Sequence, residues 1–173
     1  MAIRPIVLYG HPTLREKSQA VNAIDQETKT LVADLIATLK EAEGLGLAAN
    51  QIGAAKRVFI VNLAPIDPTQ SVHVFINPRI IETSGECELE EGCLSFPGIY
   101  EYITRPEKVT VRATDADGVY FERQADGMLA RVILHENDHI DGKLFIDHLS
   151  SMARQLLSGK LKKLRASGAT NAA

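Results

Sequence analysis

Two histidines four residues apart flank a glutamate in His135-Glu136-Asn137-Asp138-His139. On a helix this spacing puts both imidazoles on one face, where they can offer two nitrogens to a single metal ion. Glu136 sits beside them, close enough to handle a proton of water at that metal. The chemistry is that of a hydrolase, and it lacks one part. A catalytic zinc-like site takes three protein ligands and keeps one position for water. Downstream completions fail. Gly142 fits the x-x-Gly-x-x-His continuation of one long peptidase motif, but Phe145 stands where its histidine should be, and no glutamate follows Glu136. His148, Asp141 and Asp147 are at no ligating spacing. The third ligand is therefore expected upstream, where Cys93 in Glu91-Gly92-Cys93-Leu94-Ser95 is the outstanding candidate.

A third segment lies earlier still, Gly44-Leu45-Gly46-Leu47-Ala48-Ala49-Asn50-Gln51. Together the three resemble the signatures of the peptide deformylases: a G-x-G-x-A-A-x-Q loop, an E-G-C-L-S segment and an H-E-x-x-H helix, complete and in that order. The resemblance runs from about Pro5 to the terminal helix. It implies a small α+β domain built around the metal helix. It implies hydrolysis of the formyl group from N-formylmethionine on nascent polypeptides, releasing formate and a free amine. Ferrous iron is the metal the family implies, with zinc, nickel or cobalt able to replace it; a two-His, one-Cys set also suits zinc on chemical grounds. By the same resemblance, the Gln51 amide and the Leu94 backbone N–H stabilise the oxyanion on the formyl carbon, and Gly46 pairs through its backbone with the extended substrate. Glu91 looks like a support for the loop, anchoring backbone N–H groups around Cys93. One position departs from many bacterial members, which carry an arginine where Tyr100 stands here. Arg105, five residues on, is left either as a substitute cation or as a partner of Glu107.

Each residue also has a plainer reading. A lone histidine on an apolar helix face is more often a core or surface residue than a ligand, and His11, His73 and His148 are read as structural. A glutamate between two histidines reverses that weighting for His135 and His139. Glu136 beside Ile133 and Leu134 is costly to bury without a function or partner, and its functional reading is the general base that passes a proton to the leaving amine. An isolated Cys93 would be a small buried hydrophobe; beside a histidine pair short of one ligand it is read as a metal thiolate. Groups that hold the other N–H of the ligand imidazoles are expected, and Asp138 is the obvious local carboxylate, its partner not legible from sequence. Val132 and Arg131, one turn before His135, are expected to line the methionine pocket.

Bulk properties narrow the alternatives. The 173 residues suffice for one domain with a sizeable core. A formal net charge of −3 argues against a general DNA or RNA binder. No apolar stretch approaches the ~20 residues of a membrane span, and Met1 to Gly10 lacks the layout of a secretory signal. The expectation is a cytoplasmic, bacterial protein. Cys87 and Cys93 could close a small disulfide, but the expected compartment is reducing.

Periodicity supplies the elements that must position the site. A helix is predicted over 25–43, capped by Asp25 and ended by Gly44, followed by the loop to Gln51. Strands are predicted at Val58 to Val61, at Val72 to Ile81 with an interruption at Asn77-Pro78, and at Val109 to Ala113 and Val119 to Arg123 around an Asp117-Gly118 turn. Residues 128–140 form the metal helix, and a final helix runs from about Ser151 to Arg165, with Ala166 to Ala173 disordered. Strands grouped apart from helices indicate an α+β fold. Lys160, Lys162, Lys163 and Arg165 read as a solvated basic face or, as the resemblance to the deformylases implies, as a docking face for ribosomal RNA. Two rival functions remain. A metallopeptidase lacks its downstream ligand here, and a catalytically inactive structural-metal domain would be richer in cysteine.

Overall fold

The computed structural model describes residues 1–170 and forms an α+β domain of two antiparallel sheets and four helices. The first helix, α1, spans Gln26–Ala42, and the Asp25 side chain accepts the Thr28 N–H at 2.9 Å, satisfying one of the first-turn donors. Its end differs from expectation. Glu43, not Gly44, takes the left-handed conformation (φ 53°) and returns its N–H to the Leu39 and Lys40 carbonyls. Gly44 is needed for space instead, since a Cβ there would lie 2.9 Å from both Leu39 Cδ1 and Leu94 Cδ1.

The segment expected to be a loop up to Gln51 is more ordered than that. It holds a short strand β1, Gly46–Ala48, and a 3-10 turn, Ala49–Ile52. The main sheet continues through β2 (Val58–Val61) and β3 (His73–Ser84). The next hairpin is β4 (Cys87–Gly92) and β5 (Tyr100–Arg105), followed by β6 (Lys108–Thr114) and β7 (Tyr120–Asp126). Strand order in the five-stranded sheet is β1-β2-β3-β6-β7, while β4 and β5 pair separately. The Asn77-Pro78 interruption is a register shift inside one long strand. Asn77 takes φ 51°, and its side chain clamps both the N–H and the C=O of Val21 at 2.8 Å.

The metal helix, α2, spans Gly127–Ile140. Ala130, Ile133 and Ile140 bury against Phe59, Phe75 and Val111 of the main sheet; full burial of an isoleucine side chain is worth about 1.5–3 kcal/mol. The opposite, polar face turns toward β4–β5. A second cluster beneath the Cys93 loop joins Leu14, Phe96, Ile103 and Phe145 to Leu157 and Leu161. The Phe96 and Phe145 rings meet edge to face at 5.1 Å.

The final helix is two helices, α3 (Ser151–Leu156) and α4 (Ser158–Thr170), divided at Leu157. Of the tail expected to be disordered from Ala166, the positions to Thr170 lie within α4, whose Leu161 and Leu164 pack in the second cluster. Positions 171–173 of that expectation lie outside the described residues. Both cysteines are free. Among the described residues no helix is long and apolar enough to cross a membrane.

Candidate metal centre and substrate groove

Helical spacing and one strand end bring three ligand-type side chains together. His135 and His139 project from α2, their ring centroids 5.0 Å apart, and Cys93 follows directly after β4. Their candidate donor atoms all lie within 4.8 Å of one another, and Cys93 Sγ stands 3.3 Å from His139 Nε2. A tetrahedral ion with bonds of roughly 2.3 Å to sulfur and 2.1 Å to nitrogen separates such ligands by about 3.6 Å. The donor set therefore fits a small divalent cation, with one soft sulfur and two imidazole nitrogens. His139 is buried, and burial, reinforced by nearby His135, holds its pKa well below the ordinary histidine value, in the neutral form that ligates.

Glu91 orients the other imidazole. Its Oε2 lies 3.0 Å from His135 Nδ1, which directs His135 Nε2 toward the cluster. Asp138, the obvious local carboxylate, does not do so. Asp138 Oδ2 instead meets His148 Nε2 and Arg105 NH1, each at 2.7 Å. Glu91 also differs from its expected role, since the partners found for its carboxylate are side chains rather than loop N–H groups. Arg105 donates to it at 2.6 and 3.1 Å and Arg131 at 2.8 Å. Burial opposes the Glu91 charge, but the hydrogen bonds from His135 and Arg105 outweigh it and hold the pKa well below the carboxylate range. Arg105 thus points inward and pairs with Glu91 and Asp138, not with Glu107. Arg131 borders the groove, and its guanidinium is tied to Glu91 and to the Ile103 and Cys87 carbonyls.

Glu136 is 3 % exposed, and its Oε2 has no hydrogen-bond partner in the protein. Burial pushes its pKa up to about 7, against the pull of His135 and Arg105, a value suited to both taking and giving a proton near neutrality. Gly46 makes room for it. A Cβ at Gly46 would collide with Glu136 Oε1 and come within 2.6 Å of Val132 Cγ1. Gln51 is 1 % exposed. Its Oε1 accepts the Ala48 N–H at 2.8 Å, which turns Nε2 toward Cys93 Sγ at 3.6 Å and Ser95 Oγ at 3.2 Å.

A groove of about 530 Å³ passes over these groups. Gly46, Gln51, Glu91, Cys93, Leu94, His135 and Glu136 all border it, with His139 behind them, and Val132 and Met128 add apolar wall. Gly46 lies on β1, an edge strand of the main sheet. Tyr100 is 62 % exposed at the rim, its ring packed over Gly92. Another cleft, of about 470 Å³, opens near Lys108 and Gln124 but shares no lining residue with the first. The sequence reading missed the Arg131–Glu91 pairing and the Asp138–His148 contact. A buried arginine one turn before His135 was the available signal for the first.

A thiol, two imidazoles and an acid gathered in one groove of an α+β fold define a metal-dependent hydrolase. The model of the polypeptide deformylase family matches residues 3–155. A peptide deformylase of Alkalilimnicola ehrlichii is 42% identical over 171 residues, covering 99% of this chain and 96% of the relative. Among solved structures, the peptide deformylase of Legionella pneumophila superposes with a TM-score of 0.88 at 40% identity, covering 97% of this chain and 98% of that one. That of Thermus thermophilus gives 0.89 at 36% identity, with coverage of 99% and 100%. The chain belongs to the peptide deformylase family.

Proposed function

We propose that residues 1–173 form a single catalytic domain that removes the formyl group from N-formylmethionine at the N-terminus of nascent polypeptides, releasing formate. The observation that carries this reading is the convergence of Cys93, His135 and His139 beside the buried acid Glu136 in an apolar groove. Those three residues would hold the metal, which we assign as ferrous iron; zinc, nickel and cobalt suit the same donors. A cation there supplies Lewis acidity, making water a better nucleophile at neutral pH.

The chain's own groups do the rest. Glu136 takes the proton of the attacking water and hands it to the leaving amine. Gln51 Nε2 and the Leu94 N–H receive the oxyanion on the formyl carbon, each worth roughly 3 kcal/mol in the transition state. The edge of β1 at Gly46 pairs with the extended peptide backbone, Glu91 keeps the groove wall and His135 in place, and Val132 and Met128 meet the methionine side chain. Close packing around Cys93 favours formyl over larger acyl groups such as acetyl.

The test is formate release from a formyl-methionyl peptide by anaerobically purified, iron-loaded protein, with an acetyl-methionyl peptide alongside. Formate from the first and no acetate from the second is expected. Loss of neither group, with metal bound, would favour an inactive metal-binding domain, and cleavage of internal bonds a metallopeptidase. The bacterial relatives and formyl-initiated translation support a bacterial cytoplasm. Lys160, Lys162, Lys163 and Arg165 are exposed on α4 and form a face for ribosomal RNA. Because Leu161 is core, charge reversal at Lys160 and Lys163 is a cleaner test than truncation. Salt-sensitive co-sedimentation with ribosomes should be lost while formate release persists; unchanged co-sedimentation ends the assignment.

A further inference from the structure

Asn50 is fully buried (0 % exposed) and immediately precedes Gln51. Its Nδ2 donates to the backbone carbonyl of His139 at 2.5 Å and reaches the Thr13 carbonyl at 3.5 Å. One side chain therefore touches three segments: the Ala49–Ile52 turn, the end of α2, and the 3-10 turn Pro12–Arg15.

Neither carbonyl depends on it. The His139 carbonyl already accepts the Gly142 N–H at 3.0 Å, and the Thr13 carbonyl accepts the Glu16 N–H at 3.3 Å. Asn50 Oδ1, meanwhile, is buried without a hydrogen-bond partner in the protein. A buried amide with half its capacity unmet is a cost to folding, one that an apolar side chain of the same shape avoids. Stability alone does not favour asparagine here. What the amide does is fix the separation between residue 51 and the helix that carries His135 and His139. Gln51 itself is held by the Ala48 N–H on its Oε1, by Ser95 Oγ near its Nε2 and by the Val7 N–H on its backbone carbonyl. Those contacts set the direction of Nε2; the Asn50 side chain is the one that ties the turn to the His139 carbonyl of α2.

We propose that Asn50 is a positioning residue for the oxyanion-binding amide. By locking the Ala49–Ile52 turn onto the His139 carbonyl, it sets where Gln51 Nε2 stands relative to Cys93, His135 and His139. The inference rests on the deformylase reading and on the role given there to Gln51. A donor aimed at charge that develops during reaction acts on the transition state rather than on substrate affinity. A displacement of about 1 Å in such a site is enough for rate losses on the order of 100-fold.

The test is a double-mutant cycle with Asn50→Leu and Gln51→Ala in the iron-loaded full chain, read as formate release, metal content and Tm. Asn50→Leu should lower kcat about tenfold or more, leave KM within about twofold, keep full metal content, and leave Tm equal or raised. In the Gln51→Ala background the same change should alter kcat by less than about twofold, because the group it positions is gone. An unchanged kcat in the single variant overturns the proposal. So does an equal loss in both backgrounds, which would place the effect elsewhere, or a fall in Tm large enough to account for the lost activity. Asn50→Ala, which cannot overfill the site, serves if leucine prevents folding. Wild-type formate release separates this inference from the reading beneath it. If the wild type released none, the side-chain amide NMR signals of Gln51 would still decide. They shift in Asn50→Leu if Asn50 positions Gln51, and stay in place if it does not.

Discussion

Replacing Glu91 by glutamine removes a negative charge from between two buried guanidiniums and an imidazole while keeping the side chain's shape. The carboxylate, 5 % exposed, accepts from Arg105 Nε and NH2, from Arg131 NH1 and from His135 Nδ1 at 2.6–3.1 Å. An amide can accept at only one of its two ends; its NH2 would face donors. Removing one partner from a buried charge cluster costs about 3–5 kcal/mol. The lower end applies here, since Arg105 keeps Asp138 at 2.7 Å and Arg131 keeps the Ile103 and Cys87 carbonyls. At about 2–4 °C per kcal/mol for a chain of this size, Tm should fall by about 6–12 °C. The loss of the group that orients His135 should also weaken metal binding about 10–100-fold. Calorimetry and competition with a chelator measure the two effects. A Tm within about 2 °C of the wild type, together with unchanged chelator resistance, would refute the assignment of Glu91 as the anchor of this wall.

Three further outcomes are expected. Cys93→Ser replaces a thiolate by a weak neutral ligand and should lose iron on purification, checked by metal analysis; full occupancy with wild-type activity would remove Cys93 from the site. Gly46→Ala drives a methyl group against Glu136 Oε1 and Val132 Cγ1, so kcat for formate release should fall on the order of 100-fold with metal retained; an unaltered kcat would show that the acid has freedom to move. Burial raises the Asp147 pKa, but the hydrogen bonds from Arg15 and the Leu144 N–H prevail and depress it. The resulting stability is present above the unfolded aspartate value of about 3.9 and is lost as pH falls through the lower folded value. Arg15→Met should therefore cost more at pH 7 than at pH 2.5, by about 0.5 kcal/mol for so exposed a pair. Urea melts at the two pH values test this, and equal costs at both would refute it.

The positions of His135, Glu136 and His139 on one helix were legible because their spacing is helical and the surrounding apolar residues share that period. The β6–β7 hairpin was legible from its Asp117-Gly118 turn. β4 and β5 were not anticipated. Their outward face alternates Glu88 and Glu90 with the exposed Tyr100 and Tyr102, so no apolar period marks the hairpin. The carboxylate behind His135 was not legible, for a different reason. Sequence offers the neighbour, Asp138, whereas the fold brings Glu91, near the end of β4, against His135 from 44 residues away. Arg105 was misplaced likewise, its partners being set by strand packing and not by nearness along the chain. The helical stretch beyond Ala166 depends on the docking of Leu161 and Leu164, which composition does not show.

The cluster beneath Cys93 ties the metal centre to a late part of the chain. Cys93, His135 and His139 have all been synthesised once residue 139 is made, yet the floor under the cysteine is completed only by Leu157 and Leu161. In chain order, then, the three candidate ligands are all made before the residues that finish the packing beneath one of them, so a chain cut short after residue 139 would carry the donor set without the support under Cys93.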